Sequence, residues 1–276
     1  MKISILKQEA KYAIKEHFGV VIGTTLIFSL ISLVLTLGFT KTLTPEGALT
    51  PISLIIYFAM MLFLVPLSSG ITNTIVKISS NKESNPTEFI NFSIKNFFKI
   101  WGILLRMIGV GLILGIIAFI AILIILMVMI SVFKINYTIL QITSVVLYIV
   151  FAIVLVIKIL PYSFSFFILS ETPEKKTKEI TTLSKELFKG NFLNYILLVL
   201  SFIGWFLLIT IITNIVYYFS SNNMIPEIVY EASTYLQTIF LTPYIIATQY
   251  AFYEEIVADK KGTLKSDKTA KTKVKE

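Results

Sequence analysis

The chain has no cysteine and a single histidine in 276 residues. Structural disulfides, thiolate metal sites and a cysteine nucleophile are therefore excluded. His17 precedes the first apolar stretch and has no metal-ligand partner at suitable spacing, so zinc chemistry of the His-Glu-x-x-His kind is absent. No aspartate falls within an apolar stretch, which removes aspartyl intramembrane proteolysis, and no Walker A or Gly-x-Gly-x-x-Gly pattern offers a nucleotide cradle. Glu254-Glu255 resembles half of the paired-glutamate motif of membrane CAAX-type proteases, but the arginine and histidines that complete it are missing. Those glutamates read instead as the headgroup end of an apolar stretch. Charge is scarce as well: 14% of residues are charged and 56% hydrophobic, against about 25% charged in a soluble domain.

What is present is length in apolar runs. Stretches near 18–38, 52–76, 103–132, 138–169, 192–219 and 233–253 each reach the ~20 residues needed to cross a hydrocarbon core. Six spans are predicted, and the first reads as a retained anchor, because its apolar run is long for a signal peptide and no Ala-x-Ala-like site follows Gly38. Segments 1–17, 77–100, 170–190 and 254–276 hold 20 of the 24 Lys and Arg residues, whereas the three segments alternating with them hold two. By the positive-inside rule both termini are cytoplasmic. The net charge of +8 is spread over these flanking segments, not gathered on one folded surface, so nucleic acid is not an expected partner.

The odd spans begin alike, at Lys15-Glu-His-Phe18, Lys95-Asn-Phe-Phe98 and Lys189-Gly-Asn-Phe192, each ending a short amphipathic segment. Ile3, Leu6, Ala10, Ile14 and Phe18 recur at helical spacing opposite Lys7, Lys11 and Lys15, as do Ile180, Leu183 and Leu187 opposite Lys178, Lys185 and Lys189. Even spans carry Pro66, Pro161 and Pro243, each followed by a partly polar stretch. Proline removes a helical hydrogen bond and bends the helix. The expected fold is all-α: a polytopic membrane domain over 1–258, six helices in three Pro-kinked hairpins, with short cytoplasmic interfacial helices. A loose threefold repeat and mere recurrence of interfacial anchor pairs both fit this pattern. Residues 259–276 hold seven lysines and no aromatic, and are expected to form a disordered cytoplasmic tail attracted to anionic lipid. Thr44-Pro-Glu-Gly47 reads as a turn, and Pro226-Glu227 as the first turn of a helix leading to span six.

Polar residues near the prolines are the candidate site. Lys158, Ser68, Asn73, Ser163, Ser165, Thr248 and Gln249 are expected to line a polar seam, either joining helices and satisfying freed carbonyls or forming a ligand path. Lys158 is either an intramembrane cation with an anionic partner or a residue snorkelling to the headgroups. Lys15, Lys95, Arg106 and Lys189 are read as interfacial anchors.

Leu200-Ser-Phe-Ile-Gly-Trp205, Thr242-Pro-Tyr244, Thr248 and Ala251-Phe-Tyr253 carry a resemblance to an uncharacterised family of bacterial integral membrane proteins, domain-of-unknown-function family nine-seven-five. Leu6-Lys-x-x-Ala-Lys11, Tyr162-Ser-Phe-Ser165 and Ser184-Lys-Glu-Leu-Phe-Lys-Gly190 extend it. That family is similar to the membrane domain of glycerophosphoryl diester phosphodiesterases, without their catalytic domain. The chain departs from it between Trp205 and Thr242, where a short Gly-rich connection is replaced by a longer one lacking glycine. The resemblance implies a multispan fold in a bacterial cytoplasmic membrane and supplies no activity. The expected function is non-enzymatic and cofactor-free: binding or moving lipids, amphipathic peptides or small hydrophobic solutes, or protecting the membrane. The alternative is a scaffold or permease subunit docking a cytoplasmic protein through 170–190.

Overall fold

A computed structural model describes residues 2–44, 49–131, 134, 136–219, 235 and 237–273, with the side chains of 137, 216, 217, 219 and 261–273 outside that description. The predicted turn at 45–47 and the predicted helix start at 226–227 lie outside the described residues. Among the described residues all regular structure is helical. The helices are α1 (Ile3–Glu16), α2 (Phe18–Thr40), α3 (Pro51–Ser79), α4 (Glu88–Lys95), α5 (Phe97–Ser131), α6 (Tyr137–Ile159), α7 (Ser165–Glu171), α8 (Thr177–Phe188), α9 (Phe192–Leu200), α10 (Ile203–Phe219) and α11 (Thr242–Lys273).

Five helical stretches are long and apolar enough to cross a membrane: Phe18–Thr40, Pro51–Ser79, Phe97–Ser131, Thr138–Glu171 and Phe192–Ile215. They match the first five predicted spans. The sixth, at 233–253, overlaps residues outside the description; its described part is a π-helical turn, Gln237–Leu241, and the first turns of α11. α11 continues past 258 into the lysine-rich stretch for which composition predicts no packed structure.

The chain divides into two compact units: Met1–Phe97 with Phe166–Pro173 and Gly190–Glu276, and Phe98–Ser165 with Glu174–Lys189. In the first, α3 starts with a capping box in which Thr50 and Ser53 satisfy each other's backbone N–H, and Pro51 supplies a first-turn residue with no N–H to orphan. Ala10, Val21, Ile71, Ile75, Ile78, Phe89 and Ala247 form its core, drawn from α1, α2, α3, α4 and α11.

One residue pattern recurs at the three prolines. The fourth residue after each is small and buried: Gly70, Ser165 and Ala247. An amphipathic helix meets each proline-bearing segment, α4 on α3, α8 on the 3-10 turn Leu160–Tyr162, and α1 on α11. Each presents a buried apolar residue and, four positions on, a buried small one: Phe89 and Ser93, Ile180 and Ser184, Leu6 and Ala10. Two of the small residues donate to a proline carbonyl, Ser93 to Pro66 at 2.8 Å and Ser184 to Pro161 at 2.7 Å. Ala10 has no hydroxyl to donate.

Lys77, ending α3, pairs with Glu88 at the start of α4. Burial alone would raise the Glu88 carboxyl, but hydrogen bonds from Lys77 and Ser84 and the Lys77 charge outweigh it and hold the group below the usual carboxylate range. A depressed folded value means that this stabilisation is present above the unfolded pKa, about 4.3, and is lost as pH falls through the folded one. The pair is about a third exposed, so a loss of about 0.2–1 kcal/mol is expected on acidification. Thermal unfolding from pH 7 to pH 3 should show it in the wild type and not in Glu88→Gln.

Candidate functional site

The family-like motifs meet in pairs, and within one unit each time. Lys7 of α1 reaches the break between α9 and α10: its Nζ donates to the Ser201 carbonyl at 2.9 Å and sits 4.3 Å from the centre of the Phe202 ring. Phe202 in turn packs edge-on against Tyr244, with 5.6 Å between ring centres. Burial lowers the Lys7 pKa. Lys7→Met keeps the stem and loses the ammonium, so a loss of about 0.5–1.5 kcal/mol is expected, read as a lower melting temperature in detergent. In the other unit, Lys185 lies 4.3 Å from the centre of the Tyr162 ring and Phe164 packs on Phe188 at 5.3 Å. These motifs are joints between helices.

A third meeting leaves chemistry to spare. Phe167 and Glu171 are one turn apart on α7, and Tyr250 and Tyr253 one turn apart on α11, so each pair shares a face. The Tyr250 hydroxyl donates to Glu171 Oε1 at 2.8 Å and the Tyr253 hydroxyl to Oε2 at 2.7 Å. Both rings are buried, and both pack against Phe167. Ser80 Oγ lies 2.8 Å from the Tyr250 hydroxyl.

Glu254 follows Tyr253 on α11 and is exposed. Its carboxyl is pushed above the usual range by burial; the Tyr250 hydroxyl opposes the shift, and the negative charges of Glu171 and Glu9 add to it. On the side of α1 it borders a cleft of about 420 Å³ lined by Lys2, Ile5, Leu6, Glu9, Ala251, Glu254, Glu255 and Ala258. The walls carry three carboxylates and one ammonium, and the rest of the lining is apolar. In a chain of net charge +8 this is a local reversal of sign.

The residues of the sequence-predicted seam fall in both compact units. Asn73 and Thr248 are buried in the first unit; Thr248 donates to the Tyr244 carbonyl at 2.7 Å, and Asn73 Nδ2 has no hydrogen-bond partner among the described residues. Thr24, Ser29 and Thr74 are buried in the same unit with hydroxyls in the same state. Ser68 is exposed and bonds back to the Val65 carbonyl at 2.7 Å, while Gln249 is half-buried. In the second unit Ser165 is buried with its Oγ unpartnered, Ser163 is half-buried and Lys158 is exposed. Lys15, Lys95, Arg106 and Lys189, the expected anchors, are all exposed. Sequence reasoning missed Glu171, Tyr250 and Glu9; the signal available was an acidic residue ending the fourth apolar stretch and two tyrosines at helical spacing ending the sixth.

A chain whose regular structure is helical throughout the described residues, with five membrane-length apolar helices and an amphipathic helix packed on the segments of Pro66, Pro161 and Pro243, is a membrane protein. It belongs to the family described as "Protein of unknown function (DUF975)", whose model matches residues 1–260. No curated protein and no solved structure matches the chain.

Proposed function

We propose that the chain is a non-enzymatic integral protein of a bacterial cytoplasmic membrane, with six spans in three Pro-kinked hairpins and both termini in the cytoplasm, that binds amphipathic molecules at its cytoplasmic end. Of the expected ligands, lipids, small hydrophobic solutes and amphipathic peptides, the last in cationic form fit best. The cleft between α1 and α11 carries this reading: Glu9, Glu254 and Glu255 offer charge to basic side chains, and Ile5, Leu6, Ala251 and Ala258 offer an apolar floor. Retention of such a peptide, or its transfer into the bundle past the unpartnered Asn73 and Thr74, would protect the membrane it otherwise disrupts. The lysines of segments 1–17 and 254–276 hold anionic lipid alongside.

Docking of a cytoplasmic protein through 170–190, the scaffold reading, has less support. The apolar face of α8 is already occupied, since Ile180, Leu187 and Phe188 are buried within the chain. The test is binding of a fluorescent cationic amphipathic helix, and of its anionic counterpart, to the full chain in nanodiscs of zwitterionic lipid. Saturable binding of the cationic peptide alone, weakened tenfold or more in Glu9→Gln/Glu255→Gln, supports the proposal. Equal binding of both peptides, or none, together with unchanged peptide sensitivity in a deletion strain, ends it.

A further inference from the structure

We propose that Arg106 of α5 and Lys158 of α6 bind the phosphate of an anionic phospholipid on the flank of this helix pair. Both cations are exposed, and neither has a hydrogen-bond or ion-pair partner among the described residues. Their helices face lipid almost entirely: 6% of the apolar window in Phe97–Ser131 is buried, and 0% of that in Thr138–Glu171. A cation held in such a span draws a counter-charge, because lipid tails offer it no solvation. The surrounding sequence supplies none, since no Asp or Glu stands between Glu88 and Glu171. The counter-charge therefore comes from outside the chain, and the anion at hand along a lipid-facing helix is a headgroup phosphate.

Packing within the second unit brings the two cations to one place. A Cβ built on Gly111 would lie 3.7 Å from Ile159 Cδ1, so these residues face each other across α5 and α6. Successive spans run antiparallel, and each residue turns a helix by about 100°. Counted five residues back from Gly111 and one back from Ile159, those turns carry Arg106 and Lys158 to the same flank of the pair. Arg106 lies about 7.5 Å nearer the start of α5 than Gly111 does, an offset that two long side chains reaching for one headgroup can close. α8 adds charge at the same end. A Cβ on Gly102, one turn before Arg106, would lie 3.1 Å from Thr177. Thr177 sits between the exposed Lys176 and Lys178, with Glu174 and Glu179 as the acidic residues near it. Arg106 offers a planar fork that holds a phosphate by two hydrogen bonds, and Lys158 a point charge. The site belongs to the second unit and the acidic cleft to the first, so the inference needs the spans and not the peptide reading.

The experiment is native mass spectrometry of the full chain released from detergent, after incubation with equal amounts of phosphatidylglycerol and phosphatidylcholine of the same acyl chains. Wild type is expected to retain phosphatidylglycerol roughly tenfold or more over phosphatidylcholine, and Arg106→Gln or Lys158→Gln alone to lower that preference about fivefold. Arg106→Gln/Lys158→Gln abolishes it. Lys271→Gln/Lys273→Gln, which removes the same charge from the C-terminal stretch, leaves it intact. Both cations are exposed, so the variants should keep their helicity by circular dichroism; should the double variant not fold, the two single ones decide. Equal retention of the two lipids by wild type overturns the proposal, as does a preference that survives loss of both cations or falls as far in the C-terminal variant. Displacement of the lipid by inorganic phosphate overturns it too. Binding of a cationic peptide at the cleft is expected to be unchanged in Arg106→Gln/Lys158→Gln, so failure of either reading leaves the other standing.

Discussion

Gly70→Ala is expected to be among the most destabilising single-methyl changes in the protein. A Cβ built at Gly70 falls 2.3 Å from the Phe89 carbonyl oxygen and 2.3 Å from Ser93 Oγ. Ser93 can swing aside, but a backbone carbonyl moves only with its helix, so α4 must lift off α3. Lifting it exposes Phe89, which is fully buried, and draws Ser93 from the Pro66 carbonyl. Overpacking of this kind costs roughly 1–3 kcal/mol or more, and each kcal/mol is worth about 2–4 °C of melting temperature in a chain approaching this size. Gly115→Ala is the control: nothing lies within 4 Å of its Cβ position, and its change should stay within about 0.5 kcal/mol. Circular dichroism melts in one detergent read both. Equal stability of the two variants would mean that α4 does not seat on Gly70.

Glu171→Leu is expected to cost more than any surface carboxylate normally does. It removes the acceptor shared by two buried tyrosine hydroxyls, and a buried polar group that loses its partner costs roughly 1–3 kcal/mol. Glu171 is itself exposed at its outer side, so water entering there places the loss at the lower end for each hydroxyl. The specific mark of the network is recovery. Replacing a polar group together with its partners by apolar groups of similar shape is close to neutral, and Ser80 keeps the Val76 carbonyl as a partner at 2.9 Å, so Glu171→Leu/Tyr250→Phe/Tyr253→Phe should melt above Glu171→Leu alone. Additive losses across the three positions would show that the hydroxyls and the carboxylate do not act as one unit.

Both features bear on how far the sequence could be read. Run length and charge located five membrane-length helices, because a span is announced by twenty consecutive residues and needs no tertiary information. The buried face of α1 was equally legible: Leu6 and Ala10 sit at the spacing that periodicity picks out. The prolines were visible, but the small residue four positions after each was not, since glycine, serine and alanine share size and nothing else that a pattern records. Ser93 and Ser184 pass as ordinary helix-surface serines until the proline carbonyls, 27 and 23 residues away, are beside them. Of the candidate seam, Asn73 and Thr248 are buried in one unit and Ser165 in the other. The acidic cleft was the least legible part. Glu9 on one side and Glu254 and Glu255 on the other lie in two separate basic segments, where positive charge dominates the local composition, and only the packing of α1 on α11 brings them to one cleft.

The account depends on the acidic cleft opening to the cytoplasmic side of the membrane, and the lack of any native cysteine permits a direct measurement. Glu255→Cys places one thiol in the cleft lining. A membrane-impermeant maleimide is predicted to leave it unlabelled in intact cells, to label it in inside-out vesicles, and to do so more slowly once a cationic amphipathic peptide is present. Labelling from the outside of intact cells would contradict the orientation and, with it, the proposed role of the site.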